Sequence, residues 1–268
     1  MARDIELRDS VFFDGESPLK EGENLRIFNC SFEWKYPIWY SKNVYVEGTT
    51  LKESARSGIW YTHGITMKAC NIEAPKTFRR ASGISLVDVN MMNAKETLWS
   101  CQDVSLDGVI VRGDYFGMNC ENVTAKNLKI SGNYAFDGGK NITVSDSVLI
   151  SKDAFWNCEN VTVKNCLVVG EYLGWNSRGV TFEGCTIESN QGLCYMDGVK
   201  LVDCKLINTD LAFEYSTVEA DVTSTVDSVK NPMHGYINAE GITELIIDEN
   251  CKEAGACRIT VKGDKPVE

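Results

Sequence analysis

Apolar and polar positions along this chain recur with a period of 19 residues. Six runs of similar sequence follow one another at this spacing and begin at Val104, Val123, Ile142, Val161, Val180 and Val199. Four units of 19, 21, 19 and 20 residues precede them and begin at Leu25, Val44, Ile65 and Ile84. Ten units therefore run from Leu25 to Thr217, and a fixed period of this length is typical of a solenoid.

Each unit has the same internal pattern when its positions are numbered from the first residue. Positions 1, 3 and 8 are apolar, position 5 is Asn, Gly, Asp or Ala, and the last position is Asn, Gly or Asp in nine of the ten units. The alternation at positions 1 and 3 predicts a strand. Asn, Asp and Gly tolerate the left-handed backbone of sharp corners. One unit is therefore predicted to be three short strands separated by corners.

A unit of this kind buries its apolar side only by stacking on its neighbours, about 4.8 Å apart. The pattern predicts an all-β fold, a single-stranded right-handed parallel β-helix of about ten 19-residue turns. The alternative, a leucine-rich repeat, lacks its Leu-x-x-Leu-x-Leu spacing here. An open end would expose strand edges. Residues 1–24 and 218–268 are therefore predicted to be caps around a β-helix at 25–217, all in one domain.

The third predicted strand carries most of the tryptophans. Position 14 is never polar and is predicted to point inward, which turns position 15 outward. The position-15 row reads Trp39, Trp60, Arg79, Trp99, Met118, Asp137, Trp156, Trp175, Cys194 and Phe213. A solvated strand gains no stability from a line of indoles, so the row indicates a ligand groove. The other interpretation is that a loop or a second subunit covers the row, or that the rings belong to the core.

A sugar chain is the ligand that this row fits best. Sugar C–H faces stack on indole rings, and sugar hydroxyls bind amides, carboxylates and guanidinium groups. The predicted binding residues are Trp39, Trp60, Arg79, Arg80, Trp99, Tyr115, Asn119, Trp156, Asn157, Tyr172, Trp175, Asn176 and Glu214.

Four carboxylates near the row are candidate catalytic residues: Asp137, Asp114, Asp153 and Glu171. Adjacent turns place such groups about 5–10 Å apart, a range that includes retaining and inverting glycosidases. Asp137 would be the acid or base. In a polysaccharide lyase, Arg79 or Arg80 would neutralise a uronate before proton abstraction. A binding or solvated role is the alternative for each carboxylate, so the sequence leaves open whether the protein is an enzyme.

Composition narrows the partners. The formal net charge of −11 argues against nucleic acid. No apolar run approaches the length of a membrane helix, and the acidic start is unlike a signal peptide, which predicts a cytoplasmic protein. The eleven cysteines fall mainly at repeat positions and are interpreted as reduced core filler. Their spacing predicts no metal site or cofactor.

A second functional hypothesis belongs to another class. In it the protein is a non-catalytic scaffold, and its aromatic face binds a protein partner or a second copy of the chain, as in a homo-oligomer. Binding of oligosaccharides, or its absence together with a stable oligomer, distinguishes the two hypotheses.

Eight segments along the chain resemble a family of bacterial proteins. They are WKYPIWYSK (34–42), ARSGIWY (55–61), EAPKTFRR (73–80), GDYFGM (113–118), NYAFDG (133–138), KDAFWN (152–157), GEYLGWN (170–176) and LAFEY (211–215). The family is the domain-of-unknown-function family numbered thirty-seven thirty-seven. The resemblance implies the right-handed β-helix of the pectin-lyase-like group. It implies no reaction, since fold alone does not define function.

Overall fold

The structure, a computed structural model, describes residues 2–262. It is an all-β parallel solenoid of about 14 turns of some 19 residues. The chain divides into two compact units, an N-terminal unit of residues 1–133 and a C-terminal unit of residues 134–268. Among residues 2–262 no helix has the length and hydropathy needed to cross a membrane.

The N-terminal unit has two parallel sheets and a third side that is largely turns. Its first sheet comprises Arg3–Arg8, Glu23–Phe28, Lys42–Glu47, His63–Lys68, Ser82–Val87, Gln102–Asp107 and Glu121–Lys126. Its second sheet comprises Val11–Phe12, Ser31–Phe32, Thr50–Leu51, Asn71–Ile72, Asn90–Met91, Ile110–Arg112 and Lys129–Ser131. The third side holds the short strands Ile59–Trp60 and Phe78–Arg79. A 3-10 turn, Glu53–Ala55, precedes them.

The C-terminal unit repeats this plan. Its first sheet comprises Lys140–Ser145, Glu159–Lys164, Arg178–Glu183, Asp197–Leu206, Thr217–Val222, His234–Ala239 and Cys257–Val261. Its second sheet comprises Val148–Ile150, Leu167–Val169, Thr186–Glu188 and the end of Asp197–Leu206. Two further strands, Thr225–Lys230 and Gly241–Ile246, pair with each other.

The predicted register of the repeat is confirmed. First positions of successive units pair directly, as in Leu25 with Val44 and Val161 with Val180. Residues at positions 1 and 3 are buried throughout the ten units. Position 5 has a positive φ in every unit, for example 52° at Asn127. The corner interpretation of Asn, Asp and Gly is therefore correct, and each corner turns the chain back onto the core.

The predicted number of ten turns is wrong, because turns continue at both ends. Arg3–Arg8 pairs with Glu23–Phe28 before the first predicted unit. Beyond Thr217, Val218 pairs with Gly235 and Gly235 with Cys257. These spacings depart from 19 residues, so the sequence period fades although the backbone still stacks. The capping role of residues 1–24 and 218–268 stays a prediction, and Met1 and residues 263–268 lie outside the described part of the chain.

The third strand of most predicted units is instead a series of turns. On this side positive φ values recur at every second residue, as at Asp153 (58°), Phe155 (56°) and Asn157 (53°). An extended strand requires negative φ, so pairing is confined to short segments such as Ile59–Trp60. Position 14 nevertheless points inward as predicted, and Phe155 is fully buried.

Candidate functional site

The aromatic row of the N-terminal unit is a stack of rings. Trp39 and Trp60 lie face to face, with centroids 5.4 Å apart and planes at 10°. The Arg79 guanidinium lies 4.8 Å from the Trp60 ring and 4.9 Å from the Trp99 ring. Its Nη2 is also 3.4 Å from Glu96 Oε2. Both faces of Trp60 are therefore covered, and the Arg79 charge is engaged within the stack.

Indole N–H groups in both units hold the following turn of the solenoid. Each donor satisfies a backbone carbonyl that no strand neighbour uses, which gives the stack a structural role in fixing the corner. The donors and acceptors are Trp39 and Ser57, Trp60 and Lys76 (2.8 Å), Trp156 and Tyr172 (2.6 Å), and Trp175 and Gln191 (2.6 Å).

The remaining predicted residues of the N-terminal unit lie beside this stack. The Tyr115 ring is tilted against Trp99 at a centroid distance of 6.4 Å. Asp114 Oδ1 accepts the backbone N–H of Asn133 at 2.8 Å. Two exposed residues at the next corner have left-handed backbone, Arg80 (φ 48°) and Asn119 (φ 53°).

The aromatic row of the C-terminal unit starts with Trp156. Trp156 and Trp175 stack at 5.7 Å with their planes at 6°. The preceding turn places a carboxylate, Asp137, at position 15, and Tyr134 meets Trp156 edge to face at 6.1 Å. One face of Trp156 is thus covered by a parallel ring, whereas its other face is directed toward the preceding turn, which carries Asp137 and the Tyr134 ring.

A hydrogen-bonded pair lies next to this indole face. Asn157 Nδ2 donates to Asp137 Oδ1 at 2.9 Å. Asp137 is half-buried and Asn157 is exposed. The other oxygen of the Asp137 carboxylate and the amide oxygen of Asn157 have no hydrogen-bond partner among residues 2–262. The pair therefore keeps free acceptors beside an aromatic surface.

Asp153 is the buried acid of this unit, with only 2% of its surface exposed. Burial raises the pKa of its carboxyl above the usual value, and the charges of Glu171 and Asp137 act in the same direction. The Lys152 charge and a hydrogen bond from the Tyr134 hydroxyl oppose this increase. The protonated form of Asp153 is therefore favoured more than that of an exposed aspartate.

A pH dependence of stability follows from the raised pKa of Asp153. Its folded-state pKa exceeds its unfolded value, so the folded state binds more protons between the two values, and stability falls as pH rises through that window. Asp153→Asn should flatten this fall, measured as the free energy of unfolding in urea between about pH 4 and pH 7. Asp203→Asn, at an exposed corner, is the control. Equal slopes in wild type and Asp153→Asn would contradict the assignment.

Lys152 belongs to this group although sequence reasoning did not select it. Its Nζ lies 3.2 Å from Glu171 Oε2 and 5.0 Å from the Tyr172 ring centroid. The Tyr172 ring in turn meets Trp175 edge to face at 5.1 Å. Lys152 and Glu171 have opposite charges and are one repeat apart, which is the signal that could have identified the pair. Asn176 is exposed at the following corner.

Glu214 lies in a later turn and is separate from this group. Only 12% of its side chain is exposed, and its Oε1 is 2.9 Å from Lys230 Nζ. In the same part of the row, Cys194 and Phe213 are fully buried, so the prediction that position 15 points outward is wrong there. In the unit of Phe213, which includes a register shift between Leu201 and Cys204, the inward position lies one residue later.

Three of the four predicted catalytic carboxylates come together in the C-terminal unit. Asp137 and Glu171 both lie close enough to Asp153 for their charges to raise its pKa. Asp114 belongs to the other unit. No group of three or more His, Cys, Asp or Glu side chains that could hold a metal ion occurs among residues 2–262.

These features define a parallel β-solenoid with a half-buried aromatic row along one side of each unit. The chain belongs to the family DUF3737, described as protein of unknown function, whose family model matches residues 1–260. This is the family that the eight sequence segments indicate. A search of the curated proteins found no match to the sequence.

Solved structures of several solenoids are similar to the chain at low sequence identity. The tailspike protein of E. coli bacteriophage HK620, in complex with a hexasaccharide, is 12% identical with a TM-score of 0.45, covering 96% of this chain and 69% of that chain. PfbA, a surface adhesin of Streptococcus pneumoniae, is 11% identical with a TM-score of 0.38, covering 87% and 64%. The A-module of Azotobacter vinelandii mannuronan C-5 epimerase AlgE4 is 9% identical with a TM-score of 0.28, covering 96% and 79%.

Proposed function

We propose that the protein binds carbohydrate on the third side of its C-terminal unit. The observation that supports this most directly is the face of Trp156 that no parallel ring covers, with the Asp137–Asn157 pair beside it. The flat apolar ring can contact the C–H face of a pyranose, and the free acceptors beside it can bind the pyranose hydroxyls.

The energetics of this arrangement suit a sugar better than a purely apolar ligand. Burying the Trp156 face provides the hydrophobic contribution. The half-buried Asp137 carboxylate accepts hydrogen bonds from ligand hydroxyls, and bonds to an ionised group are stronger than neutral ones. Asn157 is fixed by its own bond to Asp137 at 2.9 Å, so less side-chain entropy is lost on binding.

The next turn extends the same surface. It lies about 4.8 Å further along the solenoid and presents Tyr172, the exposed Asn176 and the ion pair of Lys152 with Glu171. These groups provide a ring edge, an amide and charges for a second sugar of the same chain. The ligand class proposed is therefore an oligosaccharide that runs along the row, rather than a single sugar.

Catalysis on this ligand stays a prediction. Asp137 can touch a sugar on Trp156, whereas Asp153 is almost fully buried and would act on Asp137 through its charge. If the protein is a hydrolase or lyase, Asp137→Asn should retain affinity for the oligosaccharide and lose turnover. The measurement is product release from any oligosaccharide that binds.

Loss of the Trp156 ring tests the binding proposal. Trp156→Ala should weaken binding of the oligosaccharide by about tenfold or more, because it removes the stacking surface. Candidate ligands come from an oligosaccharide array, and their affinity is measured by calorimetry. Trp60→Ala is the matched control, since Trp60 is also stacked but both of its faces are covered by Trp39 and Arg79.

The two variants separate a binding role from a structural one. Trp60→Ala should lose stability and retain affinity. Equal affinities of Trp156→Ala and wild type would contradict the proposal. So would a wild-type protein that binds no array glycan and forms a stable oligomer with these tryptophans masked, which is the result expected of the scaffold hypothesis.

A further inference from the structure

A cleft of about 650 Å³ opens on the N-terminal unit beside the 3-10 turn Glu53–Ala55. This volume lies within the range of small-molecule sites. The side chains that shape it are one tryptophan, three basic residues and two acidic residues: Trp34, Lys35, Lys52, Arg56, Glu53 and Glu73. None of them belongs to the predicted binding or catalytic residues.

The cleft results from a local lengthening of the repeat. The unit that begins at Val44 has 21 residues, against 19 in the regular units. It includes the 3-10 turn, whose Ser54 Oγ donates to the Glu33 carbonyl at 2.6 Å and whose Ala55 is fully buried. The wall of the cleft is therefore fixed to the solenoid. Insertions in repeat proteins map to loops on one face, which is often the binding face.

The lining of the cleft has three basic and two acidic side chains, and its ion pairs leave Arg56 without a partner in the described part of the chain. Lys52 Nζ lies 3.1 Å from Glu73, and Lys35 Nζ lies 3.6 Å from Glu16. Arg56 is exposed, and its guanidinium has no ion-pair or hydrogen-bond partner among residues 2–262. Both lysines are thus compensated by carboxylates, whereas Arg56 is not. An uncompensated arginine there favours an anion.

Trp34 supplies an aromatic wall. Its ring is half-buried, and the Lys35 ammonium lies 5.2 Å from its centroid. The cleft therefore holds an aromatic ring, with a cation over one of its faces, in the same lining as Arg56. A ligand that combines a ring with an anionic group would use both features at once.

We propose that this cleft binds a small anionic ligand, whose carboxylate or phosphate contacts Arg56 while a ring of pyranose size lies against Trp34. The guanidinium fork suits either oxyanion, since both accept two parallel hydrogen bonds. This site is on the N-terminal unit and does not depend on the carbohydrate site proposed for the C-terminal unit.

Three probes test the proposal and identify the anion. Glucuronate carries a carboxylate, glucose 6-phosphate carries a phosphate, and glucose carries neither. Binding of each to the full chain is measured by calorimetry and by saturation-transfer NMR. At least one anionic probe should bind more tightly than glucose and should weaken as salt is added. The anionic probe that binds more tightly shows whether the cleft prefers a carboxylate or a phosphate.

Arg56→Gln should weaken binding of the anionic probe by about tenfold or more. The matched control is Arg112→Gln, at an exposed arginine of the same unit that does not line the cleft. Trp34→Ala should weaken binding of the same probe, whereas Trp156→Ala should not. Equal binding by Arg56→Gln and Arg112→Gln, or equal binding of glucose and both anions, would overturn the proposal.

Discussion

Replacement of Phe155 by alanine should lower the free energy of unfolding by about 4 kcal/mol. Phe155 is fully buried and stacks on Phe136 at 5.6 Å with the two planes at 7°. The alanine variant removes a whole ring from between two turns, and the stacked backbone cannot collapse to fill the cavity. Urea denaturation followed by tryptophan fluorescence measures the change.

Phe155→Leu is the control for this prediction. Leucine retains most of the buried volume and should cost about 1.5 kcal/mol or less. Both variants keep the left-handed backbone at this residue, where φ is 56°, so the difference between them reports packing alone. An alanine variant no less stable than the leucine variant would show that Phe155 is not packed as described.

Gly235→Ala should destabilise the protein by about 3 kcal/mol. The residue has a φ of 99°, and a Cβ there would lie 1.9 Å from the carbonyl oxygen of Val218. Because that oxygen is backbone, the strand His234–Ala239 would have to move away from Thr217–Val222. The change is measured as the shift in the urea midpoint.

Gly198 provides a matched control in the same unit. It is also the second residue of a first-sheet strand and has a φ of 76°, but a Cβ there meets nothing within 4 Å. Gly198→Ala should therefore cost only the left-handed conformation, about 1 kcal/mol. Similar losses for the two variants would mean that the close approach at Gly235 has no energetic consequence.

Because of the repeat, the strands and register of the first sheet could be predicted from the sequence. Val161 and Val180 are one period apart, and the structure pairs them directly. The C-terminal end of the solenoid was harder to predict, because Val218, Gly235 and Cys257 pair at irregular spacings. Backbone hydrogen bonds form wherever two strands lie side by side, whatever the length of the loop between them. Turns joined by loops of different length therefore stack without a fixed period in the sequence.

The candidate site was predicted in part. The outward direction of Trp156 could be predicted from the repeat. The stacking of its ring on Trp175 could not, because stacking depends on the side chains of adjacent turns. The engagement of Arg79 between Trp60 and Trp99 is one example. The burial of Asp153 is another: neighbouring turns carry tyrosine at the same position, and nothing in the sequence marks the aspartate as inaccessible.

The in-register pairing within each unit also bears on how the gene for such a protein can change. First-sheet residues inside each unit pair with partners one repeat before and one repeat after them, as Val104 does with Ile84 and Val123. Duplicating or deleting one complete repeat would leave all other pairs intact, since each interface is the same kind of interface. A chain with this fold can therefore change length in steps of one turn, while a shorter insertion is confined to a loop, as at Glu53–Ala55. A new binding surface can arise there without any change in the core.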